Sequence, residues 1–221
     1  MSKNYVKEYK GRTVSIPLLG SGSTNPAYTL DVAGMVTWWA MDEGSAGAAR
    51  TDQKNGYTLT DNGTVGVGSA KVGDNSASFN GASHYLTSTQ TALAFTGEVS
   101  FAFWIQPQAH GIHQSIFTNW NGSNQSFGVS IDVNNDNKFT WTQAGGTALD
   151  FTTQAIADDE WSHVIFTRAG SSGDWTIKQY IDGVLIETQT TAVDPGSGGD
   201  FNVGRAGTAN LFYLKALLDE A

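Results

Sequence analysis

The sequence predicts an all-β protein, a two-sheet antiparallel sandwich with an extended N-terminal arm. Gly is abundant at 26 residues, Pro is scarce at 4, and only 15% of residues are charged. That composition suits short strands joined by tight turns better than long solvated helices. Pairs that tolerate positive φ and close hairpins recur along the body: Asn55-Gly56, Asn62-Gly63, Asn80-Gly81, Asn121-Gly122, Gly145-Gly146 and Asp182-Gly183. Between them, apolar residues alternate with polar ones at period two, the pattern of half-buried strands. A chain of 221 residues is long enough for one large sandwich with its own core plus an arm.

Residues 1–33 differ in character from the rest of the chain. A polar, basic start leads to the apolar patch Ile16-Pro17-Leu18-Leu19, and then to the linker-like GSGSTNPAYT stretch. The net charge is -9, split into +3 for the first twelve residues and -12 for the rest, so arm and body are electrostatically opposite. The body, 34–221, carries the strands. In Glu98–Gln106, Val99, Phe101, Phe103 and Ile105 fall on one face. Trp161–Thr167 reads as a strand entered from the acidic turn Asp158-Asp159-Glu160. The clearest hairpin is Trp175–Ile181, Asp182-Gly183, Val184–Thr188, with Ile177 and Ile181 on one face. Asp132–Asn137 reads as a hairpin loop. Only Leu211–Leu218 competes as a helix on propensity.

Several function classes are excluded or disfavoured at once. With no cysteine there is no disulfide, thiolate metal site or Cys nucleophile. The N-terminus shows no apolar h-region and no run of 18 apolar residues exists, so neither a signal peptide nor a membrane partner is expected. An acidic body lacks the clustered Lys and Arg that phosphate contacts need, so no nucleic-acid partner is expected either.

Seven segments in order resemble the laminin G-like jelly-roll domains of the concanavalin A-like lectin and glucanase superfamily. They are Val36–Gly44, Asp52–Tyr57, Ala77–Leu86, Phe101–Pro107, Trp161–Val164, Tyr180–Val184 and Leu218–Ala221. The resemblance implies a jelly-roll sandwich whose first segment is a strand. It also implies that such domains run on past the last Asp-Glu, so either a truncated chain or a partner completing the sheet is expected, and the sheet edge there is suspect.

The superfamily's hydrolases carry Glu-x-Asp-x-x-Glu, a pair of carboxylates placed as nucleophile and general acid. None of Glu8, Glu43, Glu98, Glu160, Glu187 or Glu220 sits in such a run, and no Gly-x-Ser-x-Gly elbow occurs, so no enzyme is expected. His110 and His113 can in principle share a metal, though a solvated pair is the simpler expectation; His163 is expected to pack within its strand. The resemblance also implies calcium, which takes carboxylate and amide oxygens in loops. The candidates are Asp42, Asp52, Asn55 and Asp219, each equally readable as a turn-forming residue. For a glycan, Trp120 with Asn121 and Asn124 forms the most lectin-like loop, and Trp141 is a candidate second platform, although aromatics in a sandwich are more often core.

Three functions are expected from these features. The first is a non-catalytic assembly protein on a virion surface, such as a capsid decoration protein, docked to other subunits through Lys3, Tyr5, Lys7, Tyr9, Lys10 and Arg12. The second is a carbohydrate-binding or adhesion module of a larger secreted bacterial protein, located outside the cell. The third is a glycan-active enzyme with an unusual site.

Overall fold

The computed structural model describes residues 34–120, 125–132, 137–144, 146–207 and 211–221, and the backbone of 4–9 and 12–17. The chain divides into two compact units, Met1–Met35 and Val36–Ala221. In the first, β1 (Asn4–Tyr9) and β2 (Arg12–Pro17) pair antiparallel, with Asn4 opposite Pro17 and Tyr9 opposite Arg12.

The second unit holds two seven-stranded antiparallel sheets. One runs in the order β11 (Thr147–Phe151), β10 (Lys138–Gln143), β9 (Gln125–Asp132), β8 (Gln114–Trp120), β15 (Phe201–Val203), β6 (Tyr85–Ser88) and β3 (Thr60–Asn62). The other runs β14 (Val184–Thr191), β13 (Asp174–Ile181), β12 (Ser162–Ser171), β7 (Val99–Pro107), β16 (Lys215–Asp219), β5 (Asn75–Asn80) and β4 (Gly66–Ser69). Period-two patterning decides which side of each strand is inward. Phe103 and Ile105 on β7, Val164 and Phe166 on β12, and Ile177 and Ile181 on β13 are buried in one core with Phe117, Phe127, Val129, Phe139, Trp141 and Phe151 of the facing sheet. Ring pairs knit the layers, with Phe101 4.5 Å from Phe127 and Phe103 edge-on to Phe117 at 5.0 Å. Each such pair adds about 0.5–1.5 kcal/mol beyond its burial.

The expected hairpin is present: Asp182 and Gly183, at φ 50° and 80°, close β13 onto β14 with the positive φ pair of a type I′ turn. Three expectations are corrected. Val36–Gly44 is not a ladder strand; Trp39 makes an isolated bridge to Asp52 and exchanges backbone hydrogen bonds with Ala221 at 2.7 and 2.9 Å. Met41, at φ 61°, turns the chain out of the extended path. Leu211–Leu218 does not form a helix, because Phe212 at φ 56° is left-handed and Leu214, Ala216 and Leu218 are buried at period two. No open edge lies at the last strand either: β16 is paired on both sides, to β7 and to β5.

One polar side chain ties the layers together. Arg168 of β12 is 1% exposed. Its guanidinium donates to the carbonyls of Phe95 at 2.5 Å, Gly97 at 2.6 and 3.0 Å and, on β9, Ser126 at 2.8 Å. It lies 5.7 Å from the Trp141 ring and 5.4 Å from that of Trp175. Burial pulls its pKa down to about 10.

Candidate functional site

The strands that send Phe117, Val129 and Trp141 inward must send their alternate residues outward. On β9 and β10 these are Gly128, Ser130, Thr140 and Thr142. On β8 a register shift between Ser115 and Phe117 brings Ser115 and Thr118, three residues apart, onto the same outer face. A second shift sets Trp120 opposite Gln125. All of these but Gly128 and Thr140 line a groove of about 240 Å³, together with His113, Gly146, Ala206 and Phe212.

Its floor is polar but enclosed, with Ser115 and Thr118 each 2% exposed and Ser130 4%. The Ser115 and Ser130 hydroxyls lie 3.4 Å apart. The Gln125 amide donates to Thr142 Oγ1 at 2.8 Å. Gly128 makes that bond possible, since a Cβ there would collide with both Gln125 Nε2 and Thr142 Oγ1. One wall is the 205–207 segment, latched down by Thr118, whose hydroxyl donates to the Arg205 carbonyl at 3.0 Å and accepts the Gly207 N–H at 3.1 Å. Gly207 in turn packs on Trp120: an added Cβ would lie 3.0 Å from the indole Cε3. The other wall is Phe212, set edge-on to His113 at 5.1 Å, and the Phe212 carbonyl accepts the Ser115 N–H at 2.8 Å. His113 Nδ1 is 3.7 Å from Asp132 Oδ1. From beneath, Asn119 fixes β8 to β9 by accepting the Ser126 hydroxyl at 2.9 Å. The groove therefore presents the Trp120 and Phe212 rings and the His113 imidazole over a largely enclosed floor of hydroxyl and amide groups, with no carboxylate among its described lining residues.

A second polar cluster lies at the chain's last strand. Asp219 is fully buried; Oδ2 accepts the N–H groups of Lys71 at 2.7 Å and Val72 at 2.9 Å, while Oδ1 has no hydrogen-bond partner. Burial pushes its pKa up to about 6 against those donors, and the Asp42 charge adds to the rise. Burial likewise pushes Glu220 up to about 7, opposed by the Trp38 indole that donates to it at 2.7 Å and reinforced by the charges of Asp219 and Asp42. Asp42 Oδ1 accepts the N–H groups of Asp74 and Asn75 at 2.9 and 3.0 Å.

The candidates drawn from the sequence fall in different places. Trp120 stands in the groove, whereas Asn121 and Asn124 lie outside the described residues. Trp141 faces the opposite way: its ring is fully buried in the core and its N–H donates to Gln143 Oε1, so it has no face to offer a sugar. Of the calcium candidates, Asp42 and Asp219 are close enough to interact electrostatically. Asp52 is committed elsewhere, Oδ1 accepting from Trp38 and Lys54 and Oδ2 from Asn55 and Tyr57, all at 2.9–3.0 Å. Burial alone would raise its pKa, but these backbone donors hold it below the usual carboxylate range. Asn55 donates from its side chain to the Val36 carbonyl at 2.7 Å. Asp52 and Asn55 thus form a turn rather than a cation shell, as their turn-forming reading has it. Among the described residues no three His, Cys, Asp or Glu side chains gather to hold a metal. Lys3 and Lys10 lie outside the described residues, and Tyr5, Lys7, Tyr9 and Arg12 are described by backbone only. Sequence reasoning did not single out Phe212, Ser115, Ser130 or Thr142; the strand alternation carried the last three, but the approach of Arg205, Gly207 and Phe212 to β8 left no local signal.

The same architecture occurs in known proteins. A laminin G-like family model, described as the concanavalin A-like lectin/glucanases superfamily, matches residues 80–221. The chain belongs to that superfamily. No curated protein matches it. Among solved structures it is similar to domain 4 of AbnA, a GH43 extracellular arabinanase from Geobacillus stearothermophilus, in complex with arabinotriose. The identity is 22% over 83% of this chain and 88% of that one, with a TM-score of 0.62. It is also similar to the Trypanosoma rangeli sialidase in complex with the inhibitor DANA, at 14% identity and TM-score 0.59, covering 86% of this chain but 30% of the sialidase. At these identities the likeness establishes the jelly-roll sandwich alone. No helix among the described residues is long and apolar enough to cross a membrane.

Proposed function

We propose that this concanavalin A-like domain is a non-catalytic glycan-binding module acting outside the cell, and that the groove on β8, β9 and β10 is its binding site. The observation that carries the reading is Trp120, an aromatic ring at the end of a groove floored by hydroxyl and amide groups. A sugar presents an apolar face for such a ring and hydroxyls for such a floor. The arabinotriose complex of the AbnA domain supports a sugar as ligand for this architecture. The non-catalytic part is supported by the groove's described lining, which holds no carboxylate of the pair a glycosidase needs. Glu220 and Asp219, the two raised carboxyls, are not among the lining residues. The test is a glycan array with the wild type and Trp120→Ala. The wild type should bind a subset of glycans and the variant should lose at least about tenfold, ~1.4 kcal/mol; a wild type that binds none overturns the reading.

A second reading concerns the arm. A two-stranded ribbon is marginal in water on its own, and β1 with β2 is such a ribbon in a basic segment. That favours an arm held by a partner, as in a subunit mounted on a larger particle such as a virion. Deleting residues 1–33 should then abolish assembly and leave the sandwich folded. For calcium, Asp42 and Asp219 remain the chemically suitable donors, because Asp219 Oδ1 is a buried carboxylate oxygen without a partner.

A further inference from the structure

Building on the glycan-binding reading, we propose that the groove selects an uncharged sugar chain and that Phe212 is its second stacking platform beside Trp120. Phe212 combines three properties that rarely occur together. The residue is 40% exposed, it lines the groove, and its backbone is left-handed at φ 56°. A bulky residue in that region costs on the order of 1–2 kcal/mol, and strain of this kind persists where the surroundings impose it and concentrates at ligand sites. Here the imposing contacts are visible: the Ser115 N–H holds the Phe212 carbonyl, and the His113 ring stands against the phenyl at 5.1 Å. A solvent-facing turn without a ligand to meet would be served better by Gly or Asn than by an exposed phenyl ring.

The ligand's charge is dictated by the groups around the groove. Among the described residues its lining contains no Lys, Arg, Asp or Glu. Nearby stretches, 121–124 (NGSN), 131–133 (IDV), Gly145 and 208–210 (TAN), each within three residues of a lining residue in sequence, contain no Lys or Arg either. The adjacent cation, Arg205, is stacked 3.6 Å from the centre of the Tyr85 ring and donates from Nε to Asn202 Oδ1 at 3.0 Å. A uronate or sulfate entering the groove would lose water and meet no Lys or Arg; the ionisable donor in the lining, His113, already faces the Asp132 carboxylate at 3.7 Å, so the anion would gain little and be repelled by Asp132. The net charge of -9 opposes its approach as well. A neutral sugar needs only stacking faces and hydroxyl partners, and both are present. At about 240 Å³ the groove is smaller than the ~300–1,000 Å³ sites that enclose drug-sized ligands, so it grips a short stretch of a chain whose remainder stays in solvent.

The experiment is isothermal titration of the full chain with a panel of soluble polysaccharides. The neutral arm holds arabinan, xylan, mannan, galactan and mixed-linkage glucan; the anionic arm holds polygalacturonate, alginate and chondroitin sulfate. The wild type should bind at least one neutral polymer and no anionic polymer at the same concentration. Phe212→Ala should weaken binding about tenfold or more, Phe212→Leu, which keeps apolar bulk without a ring, nearly as much, and Phe212→Tyr less than about threefold. Unchanged melting temperatures separate these losses from misfolding. A wild type that prefers an anionic polymer overturns the charge inference and leaves the glycan reading standing. A ring-deleted variant, Ala or Leu, that folds and binds like the wild type overturns the platform role, again leaving that reading intact. A wild type that binds nothing on the panel overturns both.

Discussion

Replacing Arg168 by Ala should be among the most destabilising single changes in the sandwich. The magnitude is set by two opposed effects. Burial lowers this pKa from 12.5 to about 10, so keeping the charge at the site costs about 3 kcal/mol, a cost that Ala removes. Against that, Ala orphans the carbonyls of Phe95, Gly97 and Ser126, at about 1–3 kcal/mol each. It also leaves a cavity between Trp141 and Trp175, where a large-to-small change costs about 2–5 kcal/mol. These terms sum to a loss of about 2–11 kcal/mol. Because Phe95 is half-buried and Gly97 exposed, water can take up their carbonyls and the loss should fall in the lower part of that range, about 4 kcal/mol, or about 8–16 °C in melting temperature for a domain of this size. Arg168→Met fills much of the cavity but restores no donor, so it should recover about a third of the loss. Because the guanidinium holds the Ser126 carbonyl, next to Gln125 in the groove, the Ala variant should also bind glycan more weakly at temperatures where it remains folded. Calorimetric melts of the three proteins decide the matter. A loss below about 1 kcal/mol for Ala, or a Met variant as stable as the wild type, would refute the idea that these carbonyls depend on Arg168.

The raised carboxyls predict an unusual pH profile. The folded pKa values of Asp219, about 6, and Glu220, about 7, lie above the ordinary carboxylate range. The stability these groups contribute is therefore fully present below their unfolded values and lost as pH rises through about 4 to 7. Chelator-treated protein should melt higher at pH 5 than at pH 8, by on the order of 2–4 kcal/mol, and Asp219→Asn should reduce the difference without abolishing it, because burial raises Glu220 as well; a flat wild-type profile contradicts this. Below about pH 4 the trend should reverse, because Asp52 has a lowered pKa and loses its four backbone donors' stabilisation when protonated. Millimolar calcium at pH 8 should raise the melting temperature of the wild type and not of Asp219→Asn, whereas an unchanged wild type rules the ion out as a ligand of Asp219. Gly128→Ala should push Gln125 off Thr142, weakening glycan binding several-fold with little change in melting temperature; wild-type affinity would show that this bond does not shape the floor.

Much of the fold was legible because it rests on period two and on turn pairs. Phe103, Ile105, Ile177 and Ile181 read inward from spacing alone, and Asp182-Gly183 named its own turn. What misled was local propensity set against tertiary pairing. Leu211–Leu218 looks helical by composition, yet β7 and β5 offer it ladders on both sides and Phe212 breaks the helical path. The Val36–Gly44 motif looks like a strand because it is aromatic, but what holds Trp39 is the distant Ala221. The site was half legible. Trp120 could be picked out by its loop, but Trp141 could not be assigned to the core until β10's inward face was known. Phe212 gave no sequence signal, since its position depends on a contact with Ser115 across about a hundred residues. Asp219 was visible as a motif position, while its partnerless oxygen is a product of burial.

The chain has 7 tryptophans, of which Trp120 lines the groove. Titrating ¹⁵N-labelled protein with the neutral oligosaccharide it binds, and following the indole N–H signals, tests the assignment of the binding site directly. The Trp120 signal should shift in proportion to occupancy while those of Trp39, Trp141 and Trp175, which lie in the core, stay in place. Saturable binding that leaves the Trp120 signal unmoved would put the glycan elsewhere on the sandwich and contradict the assignment.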